Sequence, residues 1–119
     1  MGEGTEKEEQ VNTSSSARGV ISAAIDAMDA HDAEALAELF VAGGSVEDEN
    51  EVHTGRAAIR RWFAATPEIA LEVLRERSSG PDHEVEAKAH GDYPGSPLTF
   101  RYRFRLAGDR IEAVTITPA

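Results

Sequence analysis

Thr54-Gly55-Arg56-Ala57-Ala58-Ile59-Arg60-Arg61-Trp62-Phe63-Ala64-Ala65-Thr66-Pro67 decides how the rest of the chain is read. Ala58, Ile59, Trp62 and Phe63 recur at helical spacing and form one apolar stripe. Thr54 is expected to cap this helix, which runs from Gly55 to Ala65 with Arg56 and Arg60 one turn apart on the wet side. Pro67 cannot continue it, because it lacks the N–H and its ring clashes with the preceding turn. From Ile69 onward the apolar period changes to two, which predicts strands near Ile69–Arg77, His83–Gly91, Leu98–Leu106 and Arg110–Thr117.

Upstream of this segment, Val20, Ile21, Ala24, Ile25 and Met28 fit a helix with one apolar stripe, entered through Ser15 or Ser16. Asp29-Ala30-His31-Asp32 interrupts it. Asp32 can cap a second short helix whose Leu36, Leu39 and Phe40 face inward and which Gly43-Gly44 terminates. Ser45 to Asp48 reads as a short strand on which Val46 and Asp48 share a face. Residues 1–16 are Glu- and Ser-rich and too polar to offset their ordering entropy, so a disordered tail is expected ahead of a single domain over 17–119. Three helices followed by strands make an α+β fold. The helices cover one face of a curved, mostly antiparallel sheet, which closes into a cone with an internal pocket.

Gly108-Asp109 between alternating runs predicts a two-residue hairpin that pairs Leu106 with Ile111, Phe104 with Ala113 and Tyr102 with Thr115. A preceding hairpin centred on Pro94-Gly95 sets Val85 opposite Phe104 and Ala87 opposite Tyr102. One face then carries Val85, Ala87, Phe100, Tyr102, Phe104, Ala113 and Thr115. The other carries Glu84, Glu86, Arg101, Arg103, Arg105 and Glu112, where opposite charges compensate across strands.

Composition narrows the function. With 119 residues, a net charge of -10 and no cysteine, the chain offers no thiolate chemistry and repels phosphate, so nucleic acid and anionic membrane are excluded as expected partners. No apolar run approaches a membrane span and no signal peptide is evident, so a cytoplasmic location is expected. No two histidines have the spacing of a metal site and no cofactor fingerprint occurs, so neither metal nor cofactor is expected.

The run Val20 to Asp32, Leu39-Phe40, Ser45-Val46-Glu47-Asp48 and Gly55 to Phe63 resembles the nuclear transport factor 2-like superfamily, in its SnoaL-like and ketosteroid isomerase branches, over about residues 17 to 117. The resemblance implies a pocket for a small apolar molecule, steroid- or polyketide-like, with Asp48 as the proton-transfer base of an isomerase or a cyclase. It also implies a homodimer through the outer sheet face, with Arg101, Arg103, Val114 and Ile116 contributing.

The chain departs from the isomerase pattern at the oxyanion donors. Ala24 stands where a first-helix tyrosine belongs, Phe63 where a supporting tyrosine is found, and Phe100 where a protonated acid would project. Tyr102 and His53 are the replacement candidates for acid or oxyanion donor. The pocket lining is expected from Ala24, Met28, Phe40, Val46, Trp62, Phe63, Phe100, Phe104, Ala113 and Thr115.

Each candidate also has an ordinary structural role open to it. Asp48 can lie solvated at a strand end among Glu47, Glu49 and Glu51, and His53 can be a simple loop residue. Tyr102 and Trp62 can be core aromatics. A module that binds a hydrophobic ligand or dimerises without turnover is the alternative to an enzyme.

Overall fold

The computed structural model describes residues 17–119; the expected tail lies outside them. Helix α1 covers 17–29 and buries Val20, Ile21, Ala24, Ala27 and Met28, the stripe its spacing dictates. It ends at His31, whose backbone is left-handed at φ 54°. Helix α2, Ala33–Glu38, starts as expected, with the Asp32 carboxylate accepting from the Ala35 N–H at 3.0 Å.

The helix stops earlier than its apolar spacing suggests. Phe40 opens strand β1, Phe40–Asp48, and pairs with Ile111, so Gly43-Gly44 lie inside a strand instead of terminating a helix. The ladder slips between Phe40 and Ser45 and the glycines permit the bulge. A Cβ on Gly44 would sit 2.9 Å from Cδ2 of the Phe40 ring. Arg56, expected on the wet side, instead donates from Nε and Nη2 to the Phe40 carbonyl at 3.0 and 2.8 Å.

Strand β2, Glu51–Thr54, folds back on β1 through Glu49 and Asn50 at φ 54° and 65°. Helix α3, Arg56–Ala64, follows; its N-cap is Gly55 at φ 92°, since Thr54 belongs to the strand. Strands β3 (Ile69–Ser79), β4 (Asp82–Gly91), β5 (Leu98–Ala107) and β6 (Arg110–Pro118) complete an open six-stranded sheet in the order β2-β1-β6-β5-β4-β3. The pair β1–β6 is parallel and all others are antiparallel. Helices packed on one face of this sheet give the cone-like α+β fold, with Phe40, Phe104, Ile59, Ile111, Val46 and Val85 fully buried between the layers.

Register corrects two expectations. Leu106 pairs with Ile111, but Glu112 is an extra residue, and the ladder resumes as Arg105–Ala113, Phe104–Val114 and Tyr102–Ile116. One inserted residue reverses the facing of everything after it. Val114 is therefore buried in the core and Ile116 half-buried beside it, not on the outer face, while Ala113 and Thr115 face outward, not into the pocket. Strand β4 is offset by two residues from the expected register, so Val85 meets Tyr102 and Ala87 meets Phe100. An even offset leaves the faces as expected.

Candidate functional site

The β1–β6 and β5–β6 ladders both place Ile116 as a neighbour, with Asp48 on one side and Tyr102 on the other. These three residues form a row across the inner face, so the backbones of Asp48 and Tyr102 are separated by two strand spacings, roughly 10 Å. Val46, Val114 and Phe104 form the next row. His53 pairs with Val46 across β1–β2, which puts it on this face too and in a strand, not in a loop.

Helix α3 closes the site from above. The Trp62 indole Nε1 donates to Oδ2 of Asp48 at 3.2 Å. The His53 ring stacks on the indole, with centroids 5.8 Å apart and planes 28° from parallel; its Nε2 is 3.9 Å from the exposed Glu51 carboxylate. Asp48, Trp62 and His53 are thus one cluster of half-buried side chains, although nothing in local sequence pattern links residue 48 to residue 62.

Burial shapes the acid–base properties of this corner. Loss of solvent raises the Asp48 pKa above the usual carboxylate value; the Trp62 bond opposes the shift, Glu49 adds to it and His53 opposes it. Tyr102, 3% exposed, has its phenol pushed well above the ordinary value, first by burial, then by the Asp48 and Tyr93 charges. It stays protonated and can only donate or accept a hydrogen bond.

Under this row lies a cavity of about 10 Å³, lined by Met28, Leu36, Phe40, Val46, Trp62, Phe104, Val114 and Ile116. That is room for a single water, far below the several hundred Å³ of an organic ligand site. Five of the expected lining residues are there. Leu36, Val114 and Ile116 were missed, the last two because the bulge at Glu112 has no signature in the apolar alternation. Ala24 and Phe63 are buried deeper in the core and Phe100 packs against it; none of the three has a side-chain donor.

A larger groove of about 560 Å³ crosses the outer face, with Arg77, Ser78, His83, Arg103, Arg105 and Thr115 among its walls. It lies across the sheet from Asp48, and its arginines pair with carboxylates: Arg77 with Glu84 at 3.1 Å, Arg103 with Glu84 at 3.4 Å, and Arg105 with Asp82 at 3.6 Å. Among the described residues no group of acidic residues and histidines is arranged to hold a metal ion.

The SnoaL-like domain family matches residues 21–114. Among solved structures, a candidate polyketide cyclase of Sinorhizobium meliloti is 34% identical, with a TM-score of 0.78 over 83% of this chain and 94% of its own. A Catenulispora acidiphila protein with a ketosteroid isomerase-like fold, solved with trimethylamine, is 23% identical with a TM-score of 0.75 over 84% and 85%. SalBIII, an epoxide hydrolase/cyclase-like enzyme of pyran ring formation in salinomycin, is 19% identical with a TM-score of 0.71 over 86% and 89%. At such identities the last two establish the fold alone. No curated protein matches.

Proposed function

Because the chain belongs to the SnoaL-like domain family, we propose that its inner sheet face takes a small apolar carbonyl compound, steroid- or polyketide-like, and that Asp48 moves a proton on it. The observation that carries this reading is the Asp48 carboxylate itself, half-buried on a mainly apolar face and less acidic than an exposed aspartate. A base whose pKa lies closer to the working pH transfers protons more effectively in both directions.

In the reaction, the carboxylate takes a proton from the carbon beside the carbonyl, and the electron pair left behind moves onto the carbonyl oxygen. The Tyr102 hydroxyl, held protonated, donates to that enolate oxygen. The neutral Asp48 acid then returns its proton to a conjugated carbon, which completes an isomerisation. In a cyclisation the enolate carbon instead attacks a second carbonyl, whose π pair moves onto its own oxygen and takes the proton back from the neutral Asp48 acid. His53, at the rim, is the second candidate donor.

The experiment is ultraviolet-monitored conversion of a β,γ-unsaturated ketosteroid by the wild type and by Asp48→Asn. Turnover lost in the variant supports the base. No turnover in either protein sinks steroid isomerisation and moves the reading to its alternative, a pocket that binds an apolar ligand without turnover. The donorless Ala24, Phe63 and Phe100 favour that alternative.

A homodimer through the outer face belongs to the same reading. Arg101 and Arg103 remain available to it, whereas Val114 and Ile116 face the interior. Light scattering at micromolar concentration decides it; a monomer mass ends the proposal.

A further inference from the structure

Of the eight residues around the 10 Å³ cavity, six are buried and only Trp62 and Ile116 reach partial exposure. Ile116 is tied into the sheet between Asp48 and Tyr102 and cannot leave without opening two ladders. Trp62 projects from a nine-residue helix, and a side-chain rotation alone would move its indole. The same indole occupies one oxygen of Asp48 and carries the His53 ring on its face.

We infer that Trp62 is the movable wall of this site: its indole holds Asp48 in place in the resting protein, and a substrate enters by displacing that indole from the carboxylate. The inference deepens the proposed function and rests on it for the identity of the base. Trp62 is a positioning residue, since it acts on the reaction through Asp48. Three things follow from one displacement. The cavity joins the space now filled by the indole, the Oδ2 lone pair becomes free to accept a proton, and the bond that keeps Asp48 more acidic is lost. The ionisable groups that face Asp48 are Glu49 in the turn, His53 and Glu51 on β2, and Tyr102 on β5. Only the Trp62 contact is removed by the motion.

The chain has a single tryptophan, so its emission under 295 nm excitation reports this contact without labelling. In ligand-free protein, one phase of the wild-type emission should follow the carboxyl titration of Asp48 read by carbon NMR, and Asp48→Asn should lack that phase. Coincident curves for the two proteins would overturn the contact.

Nile red, a neutral apolar dye, tests the wall. It should bind Trp62→Ala at least tenfold more tightly than the wild type, with cooperative melting retained to exclude a collapsed state. Trp62→Phe keeps a ring but no N–H; it should bind dye like the wild type while its Asp48 carboxyl midpoint moves upward. Equal dye affinity in all three proteins overturns the wall, and an unmoved midpoint in Trp62→Phe overturns the positioning role. Should Trp62→Ala fail to melt cooperatively, the Trp62→Phe midpoint and the wild-type emission curve decide. None of these readouts needs turnover, so an inactive wild type would remove the proposed reaction and leave this inference standing or falling separately.

Discussion

Asp48 and Glu84 are carboxylates on opposite faces of one sheet, and their surroundings drive them in opposite directions. Asp48 ends β1 under an indole and beside apolar side chains, and loss of solvent makes it a weaker acid. Glu84 lies on β4 within reach of Arg77, Arg101 and Arg103 at 3.1, 3.5 and 3.4 Å, and the Arg77 hydrogen bond, followed by the charges of its neighbours, makes it a stronger one. The face on which a carboxylate lands, more than its identity, sets whether it stabilises the fold or is held ready for proton transfer.

The bulge at Glu112 assigns the faces of β6, and a charge placed on the inner one is the most severe way to break the comparison. Were Glu112 drawn into the ladder opposite Arg105, Val114 and Ile116 would turn outward and Ala113 and Thr115 inward, which would leave the core without two apolar contacts. Val114→Asp, which places a charge in the core on the Asp48 face, is expected to lose cooperative unfolding altogether. Glu112→Ala, an exposed change that keeps the residue count, should melt within a few degrees of the wild type.

Asp48→Asn comes next. Turnover should fall about 10²- to 10⁴-fold, the usual range for loss of a positioned base. The same variant should be more stable than the wild type at pH 7, because an amide does not bear the cost of a buried charge. The native pKa of Asp48 lies above the ordinary aspartate value, so the native state holds this proton more tightly than the unfolded chain. Its stabilising contribution is complete below the unfolded pKa and is lost as pH rises through the native one. The advantage of Asp48→Asn in melting temperature should therefore grow as pH rises from acid toward neutral.

Tyr102→Phe should cost about 10²- to 10³-fold in turnover if the phenol is the oxyanion donor, with little change in melting temperature because the ring is kept. Glu84→Gln is the smallest effect and has the opposite sign from Asp48→Asn. Its native pKa lies below the ordinary glutamate value; the stability it supplies is present above the unfolded pKa and lost as pH falls through the native one. A small loss of melting temperature at pH 7 that disappears in acid is expected, and added salt should shrink it.

Much of this arrangement is legible in the chain wherever a local period speaks for itself. The α3 stripe of Ile59 and Phe63 and the alternation Phe100, Tyr102, Phe104 are correct in face, because helix and strand periods are local properties. Phe40 misleads, since it sits at helical spacing from Leu36; pairing with Ile111 outweighs that spacing, and Gly43-Gly44 signal a bulge instead of a helix end. Strand β2 is hidden because its turn uses Glu49-Asn50 instead of a glycine, and Asn50, tolerant of positive φ, is the single cue. At the candidate site, parity brings Asp48 to the inner face, but its contact with Trp62 joins a strand end to a helix face and depends on the docking of α3, which no pattern within either element encodes.

The order of the strands also carries a consequence for how the molecule comes to exist. β6 follows the other five strands in sequence, yet it lies between β1 and β5 and, among the described residues, is the hydrogen-bonded bridge between the hairpin β1–β2 and the meander β3–β5. A nascent chain emerging from the ribosome can form each of those pieces alone, but the sheet cannot be joined until translation has passed Pro118. Until then the apolar faces of both halves are open to chaperones or to each other's copies, so the period of greatest aggregation risk is the interval before β6 is made.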